Sequence, residues 1–350
     1  MSRYAPEGHP SVNVGQEGRP KVGVLAVNLG TPDDLSTGAV RRYLREFLWD
    51  RRIVEVPRII WFFVLHCIIL VFRPKKTAKA YQKVWMSNED GSPLRYYTRR
   101  QGELLEKNLS DRYGEAVQTV WGMRYGNPSI ASQIDALQRR GCQRLVVLPL
   151  YPQYSATTTA SVGDAVFQKL QSMRWQPVVR MCDAYHDHPL YIDALKQSVE
   201  QHIATLNWQP DVIVASFHGI PKDYFEKGDA YSCFCYKTGR LLRESLGMSE
   251  DAFKITFQSR FGPREWLQPY TDDTLESLVA GGVKKVLVIT PGFAADCIET
   301  LEEIAMESKS VFESAGGTHF SVVPCLNDNP AHIELMAELV RGAAGDWFKR

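Results

Sequence analysis

Eight short runs of apolar and β-branched residues are spaced along the chain, and each has the length of a buried β-strand. The runs are residues 22–27, 117–121, 145–150, 178–181, 212–217, 253–257, 286–289 and 320–323. Between most of them lie amphipathic stretches with apolar residues at helical spacing, such as 129–140, 191–206 and 274–280. Strands that alternate with helices predict an α/β fold with parallel sheets and helices on both faces.

The order of these signals repeats, so the strands fall into two sets of four. Residues 119–126 are similar to 255–262, residues 144–155 to 285–295, and residues 24–32 to 212–221. Three matches in the same order favour an internal duplication. We therefore predict two similar Rossmann-like lobes, each a four-stranded parallel sheet flanked by helices, with a cleft between them. The predicted domains are a flexible tail (1–20), an N-terminal lobe (21–185), a C-terminal lobe (186–325) and a C-terminal helix (326–350), with the linker near 185–189.

Composition excludes several classes of function. The 350 residues include 41 basic and 40 acidic side chains, so no overall charge favours a nucleic-acid partner. The 7 cysteines have no framework spacing and are odd in number, which argues against a full set of disulfides and predicts a reducing, cytoplasmic location. Residues 1–20 are polar and lack the apolar core of a signal peptide.

One segment departs from the α/β pattern. Residues 59–72 form the most apolar stretch of the chain, and basic residues follow at Arg73, Lys75, Lys76 and Lys79. The stretch is shorter than the roughly 20 residues that span a bilayer. Its length is compatible with a buried core helix. Its apolar character on all sides, its aromatic residues and its basic flank favour an interfacial helix or the lip of an apolar pocket.

Ligands of open α/β sheets bind beyond the carboxyl ends of the strands. Here those ends are rich in aromatic residues and glycine, which suits a large, flat, apolar ligand. They are residues 28–32, 124–126, 151–155, 218–221, 260–263 and 291–293. No G-x-x-x-x-G-K-[ST] motif is present and no G-x-G-x-x-G follows the first strand, which argues against nucleotide chemistry. The spacing of Cys233 and Cys235 does not suit a structural zinc ion.

His218 directly follows the run at 212–217, so its imidazole is predicted to project from a strand end. A lone histidine is more often structural. Gly219 and Pro221, however, predict a rigid turn with open space above the ring. An imidazole in this position can accept a proton near neutral pH, and it is also a suitable ligand for ferrous iron.

Acidic residues recur beyond the seventh run at Glu299, Glu303 and Glu307. In an ordinary helix each adjacent pair of like charges would cost about 0.2–0.5 kcal/mol. One interpretation is a solvated helix face, with Asp296 and Glu299 forming a capping box. The other is a path for a divalent cation or for protons that runs from a cleft to the surface, with Asp296 at its mouth.

A series of motifs in this chain resembles the ferrochelatase family, in family order from about residue 21 to 339. The motifs are Asn28-Leu29-Gly30-Thr31-Pro32, Gly91-Ser92-Pro93, Met123-Arg124-Tyr125, Tyr151-Pro152-Gln153-Tyr154-Ser155, Ser216-Phe217-His218-Gly219-Ile220-Pro221, Phe257-Gln258-Ser259-Arg260 leading to Trp266, and Phe293 leading through Asp296 to Glu299-Thr300-Leu301. No single motif decides the matter, but their joint order is highly specific.

The resemblance implies a two-lobed chelatase that inserts ferrous iron into protoporphyrin IX to form protoheme, the final step of heme biosynthesis. It implies that His218 and Glu299 are the catalytic and iron-binding pair. The implied porphyrin contacts are Arg124, Tyr125, Trp266, Phe293 and, in the lip at 59–72, Trp61 and Phe62. It also implies peripheral attachment to a membrane surface. Because ferrous iron is a substrate, no tightly bound cofactor is expected.

The chain departs from the family pattern at two positions. Cys297 stands where many members carry a histidine two positions before the glutamate, and we interpret it as a small buried thiol rather than an iron ligand. Ala156 stands where cluster-bearing relatives carry a cysteine, and only Cys325 lies near the end, so no iron–sulfur cluster is expected.

Two alternatives stay open at the level of sequence. The first is a chelatase for another metal or tetrapyrrole, such as cobalt or coproporphyrin. The second is a non-catalytic porphyrin or heme carrier, which would need the aromatic walls but not the acidic residues at 299, 303 and 307. The sequence does not specify an oligomeric state.

Overall fold

The computed structural model describes residues 20–87 and 90–348, so all but the last residue of the predicted tail lies outside the described residues. The chain divides into two compact units. Among the described residues, unit 1 comprises 20–87, 90–150, 156–183 and 333–348, and unit 2 comprises 151–155 and 184–332. The change of unit at 183–184 lies next to the predicted linker. Two segments differ from the predicted domains, because 151–155 belongs to unit 2 and most of the C-terminal helix belongs to unit 1.

Unit 1 is built on a parallel sheet with strand order β2-β1-β3-β4. Its strands are β1 Lys21–Gly30, β2 Val117–Tyr125, β3 Cys142–Pro149 and β4 Val178–Met181. Its α-helices are α1 Thr37–Trp49, α2 Arg58–Phe63, α3 Leu70–Val84, α4 Pro93–Tyr113, α5 Ile130–Arg139 and α6 Ser161–Gln171. Two π-helical segments, π1 Val64–Ile69 and π2 Ala156–Ala160, precede α3 and α6 respectively, and a short 3₁₀ turn covers Gly114–Ala116.

Unit 2 repeats this plan, with strand order β6-β5-β7-β8. Its strands are β5 Val212–His218, β6 Phe253–Gln258, β7 Lys285–Ile289 and β8 His319–Val322. Its α-helices are α7 Pro189–Thr205, α8 Lys222–Glu226, α9 Tyr231–Ser245, α10 Thr271–Ala280 and α11 Lys309–Ser314. A third π-helical segment, π3 Glu299–Ser308, precedes α11. The last helices of the chain are α12 Pro330–Ala344 and a 3₁₀ turn at Gly345–Phe348.

The strands explain why the sequence signals were continuous apolar runs. Val24, Leu25, Ala26 and Val27 of β1 are all 0% exposed, because helices cover both faces of the sheet. All eight predicted strands are confirmed, and the predicted helices at 129–140, 191–206 and 274–280 agree with α5, α7 and α10 to within a few residues.

The shared strand order confirms the two similar lobes, and the strand register corrects one of the sequence matches between them. Matching the third strand of each sheet as the sequence similarity does makes Asn28 equivalent to Phe217. Their partners in the second strands are Met123 and Phe257. The sequence match paired Met123 with Ser259 instead, two residues further along. That match was based on similar residue types, whereas structural equivalence follows from the hydrogen-bonded register of the strands.

The apolar segment lies in a continuous helical run from Arg58 to Val84, formed by α2, π1 and α3. One side packs into the core of unit 1 through Trp61, Leu65 and Leu70. The other side is exposed, and its most exposed apolar residues are Ile59 at 79%, Phe72 at 73% and Phe63 at 60%. Neither predicted alternative describes the whole segment, since it is a core helix on one face and an open apolar surface on the other. Over the described residues, we find no helix whose length and apolarity suffice to cross a membrane.

The C-terminal helix joins unit 1 because its side chains contact unit 1. The Cys182 thiol lies 3.6 Å from the Leu339 carbonyl oxygen. Arg112 on α4 forms an ion pair with Glu334 at 3.0 Å. The sequence analysis predicted a C-terminal helix, but it did not assign that helix to a lobe.

Candidate active site

His218 ends β5 of unit 2, and its ring is held in one tautomer. Nδ1 lies 2.6 Å from the Gly219 carbonyl oxygen. A carbonyl oxygen only accepts, so Nδ1 carries a hydrogen, and in the neutral ring Nε2 has a free lone pair. The rings of Trp266 and Phe293 both have their centroids 6.5 Å from that of the imidazole. The half-buried imidazole thus presents a basic nitrogen beside two aromatic rings, as predicted for a strand-end position.

Glu303 is the carboxylate whose pKa responds to the charge of His218. Its Oε2 accepts hydrogen bonds from the Ser259 hydroxyl at 2.6 Å and from the Gln258 amide at 3.2 Å. Burial raises the pKa of Glu303, and the charge of Glu299 raises it further, whereas the hydrogen bond from Ser259 and the charge of His218 lower it. The net shift is upward, so Glu303 holds a proton more readily than a surface carboxylate does.

The backbone of Ser259 is strained in a way that serves this contact. Its φ is +68°, in the left-handed region that costs a non-glycine residue about 1 kcal/mol or more. This conformation follows directly after β6 and is accompanied by the short hydrogen bond from its hydroxyl to Glu303. Backbone strain of this kind is concentrated at functional sites.

A chain of buried hydroxyl groups orients Gln258. The Ser216 hydroxyl donates to the Gln258 side-chain oxygen at 2.9 Å, and it also lies 2.8 Å from the Thr271 hydroxyl. Thr256 adds a further hydroxyl 2.9 Å from Thr271. Because Ser216 holds the side-chain oxygen of Gln258, the amide nitrogen faces π3. There it also donates to the Glu299 carbonyl at 3.0 Å.

The acidic residues lie on π3, and their exposure increases along the segment. Glu299 and Glu303 are half-buried, and Glu307 is exposed. The capping-box interpretation is wrong, because no side chain caps the start of π3. The carboxylate of Asp296 instead accepts hydrogen bonds from the Asn327 amide at 2.6 Å, from the Thr300 hydroxyl at 3.1 Å and from the Cys325 N–H at 3.3 Å. Asp296 is therefore a buried anchor beneath the start of the segment, and its role at the mouth of a path stays a prediction.

Cys297 is buried next to this segment. Burial, together with the charge of Glu299, raises the pKa of the Cys297 thiol well above its usual range. A protonated thiol is a poor metal ligand. These surroundings agree with the interpretation of Cys297 as a small buried thiol.

Arg124 and Tyr125 end β2 in unit 1 and converge on one carboxylate. The Arg124 Nε donates to the Ser161 carbonyl at 2.9 Å and hydroxyl at 2.7 Å, and its Nη2 donates to Oδ2 of Asp50. The same oxygen accepts from the Tyr125 hydroxyl at 2.8 Å and from the Ser161 hydroxyl at 2.6 Å. Burial raises the pKa of Asp50, but these hydrogen bonds, that of the Arg52 N–H and the charge of Arg124 leave it lower than usual.

Two predicted porphyrin contacts are buried in unit 1. Tyr125 is 0% exposed, and Trp61 is 8% exposed with its indole N–H donating to the Leu48 carbonyl at 2.7 Å. Neither presents a face to a ligand in this structure, because each ring packs into the core and its polar atom is already bonded. Phe62 is 46% exposed, and Arg124, Trp266 and Phe293 are partly exposed.

Sequence reasoning missed two further participants in unit 1 and two in unit 2. Asp50 and Ser161 are 111 residues apart in sequence, and no local pattern connects them to Arg124. Gln258 and Ser259 belong to the family motif at 257–260, but the sequence analysis assigned them no role. The signal that could have identified them is a polar pair directly after a buried apolar run.

A model of the ferrochelatase family matches residues 21–344. The chain belongs to the ferrochelatase family. A relative named ferrochelatase from Allorhizobium ampelinum is 52% identical over 344 residues and covers 98% of each chain. Ferrochelatase from Rhizobium etli (strain CIAT 652) is 53% identical over 342 residues, covering 98% of this chain and 97% of the relative. Family membership confirms the predicted metal chelatase, with porphyrin and iron as its substrates.

Solved structures show the same fold at much lower identity. SirB from Bacillus subtilis with Fe³⁺ matches with a TM-score of 0.53 and 12% identity, covering 93% of this chain and 96% of that one. The sirohydrochlorin chelatase SirB from Bacillus subtilis subspecies spizizenii, in complex with cobalt, matches with a TM-score of 0.53 and 11% identity over the same shares. These likenesses confirm the two-lobed α/β fold of chelatases.

Proposed function

We propose that this ferrochelatase-family chain inserts ferrous iron through His218, Glu299 and Glu303. The family reaction, insertion of ferrous iron into protoporphyrin IX to form protoheme in the final step of heme biosynthesis, is the reaction of this chain. The observation that carries the assignment is the contact of His218 Nδ1 with the Gly219 carbonyl, which turns Nε2 away from the backbone and leaves the ring beside those of Trp266 and Phe293.

The reaction requires a base because both inner N–H protons of the porphyrin must leave when the metal enters. The Nε2 lone pair of His218 accepts such a proton, and the resulting imidazolium is stabilised by the nearby carboxylate of Glu303. The raised pKa of Glu303 suits it to take the proton onward. The balance is one ferrous ion taken up and two protons released for each porphyrin.

The carboxylates of π3 are proposed to lead the cation and the protons. Over residues 20–87 and 90–348, no three His, Cys, Asp or Glu side chains converge as a preformed metal site. A substrate ion needs a weak path rather than a tight site, since its final ligands are the porphyrin nitrogens. The sequence of half-buried Glu299, half-buried Glu303 and exposed Glu307 supports such a path.

The aromatic and cationic side chains are proposed to hold the macrocycle. The predicted contacts that stay proposals are Trp266, Phe293, Arg124 and Phe62. Binding energy from such walls can bend the flat ring and tilt the nitrogen lone pairs out of its plane. Tyr125 and Trp61 act beneath this surface, since each is bonded and buried.

We further propose peripheral membrane attachment through the exposed face of the apolar segment. Ile59, Phe63 and Phe72 form an uncovered apolar surface that is unusual for a protein surrounded by water. The absence of an iron–sulfur cluster and a cytoplasmic location also stay proposals. All 7 cysteines are unpaired thiols, which supports a reducing location.

The decisive test separates binding from conversion. Purified Glu299→Gln and Glu303→Gln variants should bind protoporphyrin IX with wild-type affinity, measured by fluorescence quenching, but form heme more slowly under anaerobic conditions. Parallel reactions with cobalt and with coproporphyrin measure the alternative substrates. Unchanged heme formation in both variants would refute the proposed path through the carboxylates. Faster turnover with coproporphyrin would show that protoporphyrin IX is not the preferred substrate.

A further inference from the structure

Two adjoining cavities lie along the outer side of α1 in unit 1, with volumes of about 440 and 560 Å³. They share Arg42, Arg45 and His66, and we call them together the α1 groove. Leu70 and Val71 line one cavity, and aromatic and acidic groups line the other. The groove thus lies between α1 and the apolar segment at 59–72.

The arginine side chains shared by the two cavities have no hydrogen-bond or ion-pair partner among the described residues, whereas the carboxylates of the α1 groove accept hydrogen bonds. Arg42 and Arg45 are exposed, and neither forms a hydrogen bond or an ion pair with any residue that the structure describes. Glu46 accepts the Gly126 N–H at 3.0 Å. Asp33 accepts hydrogen bonds from Arg95 at 3.4 Å and from Asn127 at 3.2 Å. The groove therefore offers unpaired guanidinium groups to an external anion.

His66 adds a fixed hydrogen-bonding group to the α1 groove, whereas the hydroxyl of Thr31 lies behind its wall. The Nδ1 of His66 donates to the Phe62 carbonyl at 3.0 Å, and its ring stacks on that of Phe62 at 4.5 Å between centroids. Its Nε2 is left for a ligand. The hydroxyl of Thr31 is buried, with the residue 1% exposed, and no partner for it lies among the described residues. Thr31 belongs to the cavity wall, but its hydroxyl is closed to solvent, so His66 is the neutral hydrogen-bonding group that the groove offers to a ligand.

An apolar surface continues from the same groove. Phe62 and Val71 line the cavities and are 46% and 48% exposed. They belong to the uncovered face that also carries Ile59, Phe63 and Phe72. A ligand that fits both parts is an anion with long apolar chains attached, which is the chemistry of an anionic phospholipid.

We propose that the α1 groove binds the headgroup of an anionic phospholipid. The phosphate lies against Arg42, Arg45 and His66, and the acyl chains lie along the exposed face of the apolar segment. Planar guanidinium groups bind phosphate oxygens through paired hydrogen bonds. This proposal rests on the proposed membrane attachment and adds lipid selectivity to it.

The test is co-sedimentation of the full chain with vesicles of phosphatidylcholine alone and with vesicles that also contain phosphatidylglycerol. Each basic residue near an anionic surface contributes about 1 kcal/mol, so the double variant R42Q/R45Q should bind the mixed vesicles roughly 30-fold more weakly. Its binding to pure phosphatidylcholine should not change. The matched control R139Q/R240Q removes the same charge from α5 and α9 and should keep most of the selectivity.

The outcomes separate the groove from membrane attachment itself. Equal loss in the two double variants would mean that net charge alone attracts the protein, and it would overturn the groove. Wild-type selectivity in R42Q/R45Q would do the same while leaving membrane attachment intact. If the wild type bound neither vesicle, both proposals would fall. A raised KM for porphyrin with unchanged vesicle binding would assign the groove to the carboxylates of the tetrapyrrole. Folding of each variant is checked by circular dichroism.

Discussion

Removing the Asp50 carboxylate should destabilise unit 1 more than any other single polar truncation near its strand ends. Its side chain is 9% exposed, and that of Arg124 is 17% exposed, so the ion pair between them is largely withdrawn from water. One oxygen, Oδ2, accepts hydrogen bonds from Arg124, Tyr125 and Ser161. Asp50→Ala would leave a partly buried guanidinium group without its counter-charge.

The size of the effect follows from these contacts. Breaking a buried ion pair by removing one partner costs about 3–5 kcal/mol, and we expect Asp50→Ala to lie in that range. The double variant Asp50→Ala/Arg124→Met should recover about 2 kcal/mol relative to the sum of the single variants, because no charge is then left alone. Asp164→Ala is the control, since its ion pair with Arg52 is exposed at 54% and 42% and should be worth less than about 1 kcal/mol.

Urea unfolding followed by circular dichroism measures these free energies, with the slope checked for a common transition. The anaerobic porphyrin assay on the same variants shows whether Arg124 also loses its orientation, which should raise KM for porphyrin more than it lowers kcat. A cost below about 1 kcal/mol for Asp50→Ala, with additive double-variant energies, would refute the idea that this carboxylate holds the end of β2.

Three further predictions test other parts of the molecule. Burial lowers the pKa of His332 from 6.5 to about 4, so as pH falls through this window the unfolded chain takes up a proton that the folded chain does not. Stability should therefore fall by roughly 3 kcal/mol between neutral pH and pH 4, and urea unfolding of His332→Phe should show a smaller fall. Glu303 has a raised pKa, so wild-type kcat should decrease as pH falls through it and the carboxylate becomes protonated. Glu303→Gln should lower kcat and lose that part of the pH profile, and an unchanged profile would contradict the assignment. A Cβ at Gly30 would lie 1.8 Å from the Tyr125 carbonyl oxygen at a φ of +117°, whereas one at Gly228, with a φ of +101°, would meet nothing within 4 Å. Gly30→Ala should therefore cost more than about 4 kcal/mol and Gly228→Ala about 1–2 kcal/mol, and similar thermal stabilities of the two variants would show that the contact at Gly30 is relieved elsewhere.

The fold was largely predictable because a parallel strand buried on both faces leaves an unmistakable apolar run. β1 and β5 were found in this way, and the repeated order of runs predicted two similar lobes. The equivalence of Met123 and Phe257 was not predictable. A two-residue shift preserves the alternation of faces, and similar residue types favoured the match of Met123 with Ser259. The π-helical character of π3 was also hidden, because apolar spacing does not distinguish hydrogen bonds to the fifth residue from those to the fourth.

The strand-end position of His218 was predictable, because this residue directly follows a continuous apolar run. The register places Leu29 at the equivalent position of unit 1. Its side chain cannot exchange a proton, so of these two equivalent strand ends only the one in unit 2 can act as a base. The burial of Trp61 was not predictable, because a segment that is apolar on all sides does not show which of its faces packs against the core. The role of Asp50 depends on partners 74 and 111 residues away, which only the folded chain brings together.

The central claim is that the Nε2 lone pair of His218 removes porphyrin protons during metal insertion. The most direct measurement is the initial rate of heme formation from protoporphyrin IX and ferrous iron under anaerobic conditions, wild type beside His218→Ala, with porphyrin affinity measured on the same samples. The account predicts that His218→Ala still binds porphyrin but converts it no faster than the uncatalysed reaction. A normal rate of heme formation by His218→Ala would contradict it.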